Sequence, residues 1–550
     1  MAEKPDRSSQ EKKTRILILG AGVMQGPALK IAAEMGLETI AADADPNALC
    51  VSLASRFEQV DLKDKEGIES LARSLMENGG RLGIMTAGTD FSATVAWAAE
   101  RLGLPGISYE TALDASDKER MRGRFKAAGV PSPEFVIVKS PPENGFALPF
   151  PLPVVVKPVD NMGSRGCRMV DSPDGLRSAV SDALEYSRSG RVIVEEYMEG
   201  NEFSVDALVY NGEITMCGIA DRHIFFPPYF IEMGHTMPSD ADPAAIRSLL
   251  QTFTQGIKAL GITNGAAKGD IKLTPRGPMV GEIAARLSGG YMSGWTYPYS
   301  SGVLPTRGAI EIALGKKPTL TVPEWDWTSA ERAFISIPGK VRSIDGLEKA
   351  RAMPFVRDVF TRIGPGSEVS FPENNVTKCG NVISAAPCRE DAVNSAEKAA
   401  RSILIRLEAP NEATDAFLAV PPGKTAFPPD AFGAWQLFEE ENNHGGARRE
   451  EEENNHGGHG EHGGREKGNI RILNFKEFTG SGLRDYMGRS IEECLEAVRV
   501  LTGLDLPFTE EPTEEEADMP LLGQSFWQAF IRGGYQGAVY YIDKKVKEKR

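Results

Sequence analysis

The run Arg15-Ile-Leu-Ile-Leu19 constrains the fold of this chain more than any other short stretch. It stops at Gly20-Ala21-Gly22 and is followed by a helix-like stretch from Gly26 to Met35. A second strand-like run, 38–45, then ends in acids. Strand, glycine turn, helix, strand is a parallel βαβ unit, because parallel neighbours need a long crossover and a helix usually supplies it. Residues 81–88 read as a further strand, and a helix follows through Leu102. The pattern predicts a doubly wound α/β domain over residues 14–112, after a flexible N-terminus at 1–13.

The turn itself, Gly20-x-Gly22-x-x-x-Gly26, is near a dinucleotide fingerprint, but its spacing differs. An NAD-linked oxidoreductase would need Asp43 or Asp45 to hold a ribose. The plainer reading is that the glycines permit tight strand-to-helix packing.

Beyond residue 112 the pattern changes. Residues 113–129 read as a helix stopped by Gly129, and Val130-Pro-Ser-Pro133 opens a strand. Val154–Pro158 and Val192–Met198 read as strands, with a helix over 174–188 between them. Residues 202–214 alternate and turn at Asn211-Gly212, a strong hairpin signal. Residues 266–288 read as a second hairpin through Pro275-Arg-Gly-Pro278. This part is α+β with antiparallel strands, and a smaller α+β unit follows over about 331–408. Residues 439–467 are low in complexity: the eight residues 439–446 recur at 451–458, a composition expected to be disordered. Residues 470–550 regain apolar content and are expected to fold as an appended unit.

A chain of 550 residues predicts three or four domains. A net charge of −15 disfavours nucleic acid and anionic membrane as partners. The N-terminus has no apolar leader, and no run of about 18 apolar residues predicts a spanning helix. Six scattered cysteines without a CxxC pair predict a reduced, cytoplasmic protein.

Four constellations carry chemistry. Lys157 ends an apolar strand and precedes Asp160-Asn-Met-Gly163-Ser164-Arg165-Gly166, where backbone N–H groups and the Arg fork can close over phosphates. Glu195-Glu196-Tyr197-Met198 and Gly200-x-Glu202 follow a buried-type strand; backbone there can read a base edge, and a carboxylate can accept from ribose hydroxyls. Asp270 and Glu282 lie on facing strands of one hairpin, where two carboxylates near phosphates suit a hard cation. Arg286 lies four residues past Glu282 and can stabilise charge on a transferring phosphoryl group. Each has a bland alternative: a surface turn, a strand end with solvated acids, a cross-strand charge pattern.

Taken in order with Lys118, these residues resemble the ATP-grasp superfamily, and more narrowly its carboxylate–amine ligases, akin to amino-acid ligases and carbamoyl-phosphate-synthase-like proteins. The resemblance covers about residues 14–408. It implies a preATP-grasp domain at 14–112, an ATP-grasp domain at 113–325 with its lid at about 130–200, a C-terminal ligase subdomain at 326–409, a linker and low-complexity segment at 410–469, and the appended unit at 470–550. It assigns Lys118 and Lys157 to ATP phosphates, with Lys157 and Arg286 catalytic. Gly163, Ser164, Arg165 and Gly166 become the lid loop, Glu195, Glu196, Tyr197 and Met198 line the adenine pocket, Glu202 meets the ribose, and Asp270 and Glu282 hold Mg²⁺.

The chain departs from the family twice. The usual H-x-E is Lys268-Gly269-Asp270, and the usual E-x-N-x-R is Glu282-Ile-Ala284-Ala-Arg286, which lacks the Asn metal ligand. One or two Mg²⁺ ions, or Mn²⁺, are therefore left open. The implied activity is ADP-forming activation of a carboxylate as an acyl phosphate and its transfer to an amine. The acceptor pocket is expected around Arg222, His223, the segment 230–235 with His235, and Ser288-Gly289-Gly290, shaped by Trp295, Tyr297 and Tyr299. A regulatory nucleotide-binding protein with an impaired site is the main alternative. Small carboxylates and amines are the expected partners, and a homodimer is left open.

Overall fold

The computed structural model describes residues 13–77, 79–143, 147–319, 323–433, 480–504 and 524–548; residues 1–12 and the low-complexity tract lie outside them. The chain forms two compact units, Met1–Glu331 with Ile383–Asn394, and Arg332–Val382 with Ser395–Arg550.

The first unit opens with β1 (Arg15–Leu19), α1 (Gly26–Glu34), β2 (Glu38–Asp43), β3 (Arg56–Gln59), α2 (Lys65–Glu77), β4 (Leu82–Thr86) and α3 (Ser92–Leu102). The strands lie in the order β3-β2-β1-β4, every pair parallel. Ile16 and Ile18 pack with Ala28 and Leu29 of α1. Leu17 and Leu19 pack on the other face with Ile68 of α2 and Ala98 of α3. Helices on both faces are why these strands read as unbroken apolar runs.

The glycine turn after β1 satisfies its own donors. Ala21 N donates to Asp43 Oδ2 at 2.8 Å, Gly22 N donates to Gln25 Oε1 at 3.0 Å, and Gln25 Nε2 donates to the Ala87 carbonyl. Gly20 sits at φ +101°, and a Cβ there would meet the Gln25 side chain at 2.8 Å. Asp43, the acid that the dinucleotide reading sends to a ribose, is engaged in holding the turn. The turn is a packing device, and the oxidoreductase reading loses its donors.

α4 (Tyr109–Asp114) and α5 (Lys118–Ala128) follow. The single helix expected over 113–129 is broken, because Asp117 caps a new one: its carboxylate accepts from Arg120 N at 3.1 Å. Lys118 thereby becomes the first residue of α5. β5 (Phe135–Val138), β6 (Val154–Pro158), β7 (Arg168–Val170), α6 (Pro173–Tyr186) and β8 (Val192–Glu196) build a small antiparallel sheet in the order β5-β8-β6-β7. Val154, Val156, Val192 and Val194 pack against Val180 and Ala183 of α6.

β9 (Asn201–Tyr210), β10 (Glu213–Phe225), β11 (Ile231–Met237), α7 (Pro243–Leu260), β12 (Gly265–Thr274) and β13 (Gly277–Ala284) complete the scaffold. The strands run antiparallel in the order β13-β12-β9-β10-β11. Phe203, Val205, Ala207 and Val209 pack on Leu249, Phe253 and Ile257 of α7. A Cβ on Gly269 would come within 2.5 Å of the Phe253 ring, so β12 can approach α7 only with glycine there. Because side chains alternate along a strand, Glu202, Ser204 and Asp206 are left on the opposite, polar face.

In the second unit Gly339–Asp345 pairs antiparallel with Glu368–Val369 and Leu404–Leu407. The described residues of the segment expected as an appended unit, 480–504 and 524–548, belong to this same unit. Ile405 N donates to Tyr535 Oη at 2.8 Å. Arg406 grips Asp543 through Nε at 2.8 Å and Nη2 at 2.5 Å. Phe526, Trp527 and Phe530 pack on Leu495 and Val498. Among the described residues no helix is long and apolar enough to cross a membrane.

Candidate active site

The register of these five neighbouring strands sets out a grid of charges on their polar face. One row pairs Ala284 with Lys268 and Lys268 with Asp206. The next pairs Glu282 with Asp270 and Asp270 with Ser204. A third pairs Lys272 with Glu202, Glu202 with Arg222, and Arg222 with His235. Residues 70 or more apart in sequence therefore share one surface.

Lys118 and Lys157 reach this surface from outside the sheet. Lys118 Nζ donates to the Asn161 carbonyl at 2.9 Å and stands 3.6 Å from Glu282 Oε2. Lys157 Nζ meets Glu195 Oε2 at 2.7 Å, and Arg122 Nε holds the other Glu195 oxygen at 2.8 Å. Arg122 and Glu195 are almost wholly buried, at 0% and 2% exposure. The resemblance puts Glu195 on the adenine pocket. The structure places its carboxylate between two cations instead, as the counter-ion that positions Lys157. In the lid loop Gly163, Ser164 and Gly166 all take left-handed φ angles, of 70°, 60° and 66°. Arg165 Nε donates to the Met162 carbonyl at 3.1 Å.

Glu202 is held by Lys272 at 2.9 Å and Arg222 at 3.0 Å. Lys272 Nζ also donates to the Met198 carbonyl at 3.0 Å and lies 4.8 Å from the Tyr197 ring centre. Glu196 turns outward to Arg276, 2.8 Å away. Glu202, Tyr197, Phe230, Met169, Arg222 and Lys272 line part of a cavity of about 690 Å³, so that apolar and charged side chains share it.

Asp270 accepts from Ser204 Oγ at 2.9 Å, pairs with Lys268, and lies 3.3 Å from Arg222 Nη1. Burial works to raise the Asp270 and Glu282 carboxyls, but the cations outweigh it. Lys118, Lys268, Lys157 and Arg286 hold Glu282 down to about 2. Burial likewise works to lower Lys118, yet Glu282, Asp90 and Glu195 keep it above the ordinary lysine value. Both carboxylates are thus ionised and face each other. Two carboxylates together with substrate phosphates are a fitting set for one Mg²⁺ ion. Among the described residues no cluster of three or more His, Cys, Asp or Glu could hold a metal.

Arg286 is half-buried beyond the end of β13, and its Nη1 donates to the Leu287 carbonyl at 2.9 Å. Ser288 Oγ donates to Asp206 Oδ2 at 2.5 Å. Arg222 Nε meets Glu232 at 2.9 Å. His235 Nδ1 lies 3.0 Å from Glu331 and His235 Nε2 lies 3.6 Å from Glu232. A Cβ on Gly290 would stand 2.9 Å from Glu232 and 3.3 Å from His235, so the Ser288-Gly289-Gly290 loop abuts this acidic corner. His223, expected beside Arg222, lines the same cavity as Arg222, and its Nε2 lies 2.9 Å from Thr236 Oγ1.

Sequence reasoning missed Arg122, Asp206 and Glu331, and reached Glu232 only as part of the segment 230–235. Arg122 was findable, since it lies one helical turn from Lys118. Asp206 was findable too, at the i, i+2, i+4 spacing from Glu202. Burial pushes its carboxyl up to about 6, against Ser288 and Lys268, and its Oδ1 has no hydrogen-bond partner among the described residues. Folded protein then binds this proton between about pH 4 and 6, where the unfolded chain has lost it, so stability falls as pH rises through that window. Two pH units correspond to about 3 kcal/mol. Asp206→Asn is expected to unfold at a higher temperature than the parent at pH 7.5, and to lose most of that advantage at pH 4.5. Thermal melts at the two pH values check this.

Comparison with known proteins identifies two stretches of the chain. The model of the ATP-grasp domain matches residues 150–294, and that of the L-amino acid ligase C-terminal domain 2 matches residues 333–408. The chain is 25% identical over 374 residues to the uncharacterized protein y4rH of Sinorhizobium fredii, covering 67% of this chain and 77% of that one. It is 25% identical over 332 residues to carnosine synthase 1 of Gallus gallus, covering 56% of this chain and only 36% of that longer protein. The crystal structure of an L-amino acid ligase from Bacillus licheniformis is alike over 72% of this chain and all of its own, with a TM-score of 0.63 and 20% identity. The chain carries an ATP-grasp domain and, after it, the C-terminal domain 2 of the L-amino acid ligases.

Proposed function

We propose that the protein uses ATP to activate a carboxylate as an acyl phosphate and joins it to an amine, forming an amide with release of ADP and phosphate. The relatives that are ATP-grasp ligases support ATP-dependent, ADP-forming amide formation. The observation that carries the reading is the charge grid: Lys118, Lys157, Lys268, Arg222 and Arg286 surround the facing pair Asp270 and Glu282.

The residues divide the work by position. The cavity beside Tyr197, Phe230 and Met169 is the seat for the nucleoside, with Glu202 on the ribose. Lys157 and Lys118, with the backbone of the 160–166 loop, hold the phosphates. Glu282 and Asp270 would hold Mg²⁺, which supplies charge neutralisation between the phosphates. A carboxylate oxygen of the substrate attacks the γ-phosphorus, the bond to the β-phosphate oxygen breaks, and ADP leaves. Arg286 faces the charge that develops on the transferred group. Little covalent chemistry is asked of the protein; positioning and electrostatics carry the step. The amine nitrogen then attacks the acyl carbon, phosphate departs, and the amine loses a proton. Glu232, Glu331 and Asp206 make the adjoining corner acidic, which suits the amino group of an amino-acid substrate. In domain terms we place the nucleotide site in residues 113–325, with 14–112 and 326–409 as the flanking domains.

An acyl phosphate is trapped by hydroxylamine as a hydroxamate. Incubation with ATP, Mg²⁺, hydroxylamine and single L-amino acids is expected to give hydroxamate with at least one of them. ATP binding without hydroxamate from any carboxylate would favour the regulatory reading instead.

A further inference from the structure

The two departures from the family pattern meet in space. Lys268 and Ala284 are direct cross-strand partners, so the methyl group at 284 and the lysine at 268 occupy neighbouring positions on the charged face. The Lys268 ammonium is turned along its own strand to Asp270, with which it forms an ion pair, and both side chains are largely enclosed, at 15% and 16% exposure. On its other side Lys268 is paired in register with Asp206. Its charge also acts on Glu282, one row along. Where the family pattern offers an amide oxygen to a metal, this chain therefore offers a hydrocarbon stub and, opposite it, a covalently tethered cation.

We infer that the Lys268 ammonium takes the place of a second divalent ion, so that the phosphates of ATP are neutralised here by one metal and one fixed lysine. The inference rests on the ATP reading of the same site. Three features carry it. The facing carboxylates supply oxygen ligands for one ion, and Ala284 supplies none. A second divalent ion would have to sit against an ammonium already seated on Asp270, where like charges repel. The ammonium donates three N–H groups and needs no ligand set of its own to stay in place.

The experiment counts ions directly. The full-length protein is saturated with a non-hydrolysable imido analogue of ATP, and Mn²⁺ is titrated in while free Mn²⁺ is read by electron paramagnetic resonance. One tight Mn²⁺ per chain is expected. Lys268→Met is expected to hold that ion about tenfold more tightly, because the competing charge beside Asp270 is gone. The double variant Lys268→His with Ala284→Asn is expected to bind two. Two tight ions in the unaltered protein would overturn the inference, as would Lys268→Met that binds one ion with unchanged affinity. The count on the unaltered protein needs no variant to fold. Analogue binding is followed separately by calorimetry. Absence of analogue binding would overturn the ATP reading and this inference with it, whereas bound analogue with two ions would overturn this inference alone.

Discussion

Arg286→Ala is expected to lower kcat by about 10²–10³ while leaving ATP affinity within about threefold, the signature of a group that acts on charge developing in the transition state. The structure supplies the reason. Arg286 is half-buried beyond the end of β13, four residues past Glu282, and its Nη1 is tied to the Leu287 carbonyl. That contact fixes the head group without neutralising it. The positive charge also acts on Asp90 and Glu282, which places it at the edge of the carboxylate pair and away from the Tyr197 cavity. Its loss should therefore be felt in turnover rather than in nucleotide binding. Arg286→Lys keeps the charge and loses the planar fork, so it is expected to recover only part of the rate. Steady-state ADP release and calorimetric titration of the imido analogue separate the two quantities. An Arg286→Ala protein whose ATP affinity falls as far as its kcat would move Arg286 from the transition state to the ground state.

The second large effect is on stability. Glu195→Gln is expected to cost the first unit about 3–5 kcal/mol, because it leaves the buried Arg122 without its counter-ion. Arg122 has no exposure, and its Nη1 has no hydrogen-bond partner among the described residues. Its remaining ties are Nε to Glu195 and Nη2 to the Gly281 carbonyl at 2.7 Å. Burial works to raise the Glu195 carboxyl, but Arg122 and Lys157 outweigh it and hold it below the ordinary glutamate value. A depressed acid stabilises above its unfolded pKa and loses that contribution as pH falls through the folded value. The difference between parent and Glu195→Gln is therefore expected to shrink well below pH 4.5. The double variant Arg122→Met with Glu195→Gln is expected to be more stable than Glu195→Gln alone, since it removes the stranded charge. Denaturant unfolding of the three variants and the parent reads both effects.

What could be read in the sequence follows the range over which each signal acts. The hairpin at Asn211-Gly212 was legible because left-handed turn residues announce themselves locally; both take positive φ, 50° and 81°. The hairpin that carries Asp270 and Glu282 was legible for the same reason, but their direct facing was not: counting back from the turn puts Gly281 opposite Asp270, and a bulge between Asp270 and Ile271 brings Glu282 there. The Arg122–Glu195 pair was not, because it joins residues 73 apart through helix packing that no local pattern records. Asp117 broke a helix that periodicity alone would continue. Arg222 and His223 were read into one pocket, and both line the cavity beside Tyr197. The glycine turn at 20–26 reads like a nucleotide cradle, and only the contacts of Gln25 and Asp43 reveal that its donors are satisfied within the domain. Tyr535 and Asp543 bond to the Leu404–Leu407 strand, a pairing that sequence spacing could not foresee across a low-complexity tract.

The measurement that tests the central claim most directly is ADP release from ATP and Mg²⁺ across a panel of single and paired L-amino acids, beside a Lys157→Ala control. The account predicts release that depends on a particular acid, rises when a suitable amine is added, and falls to background in the control. ADP release that is the same with every acid and with none, or that persists in Lys157→Ala, would contradict it.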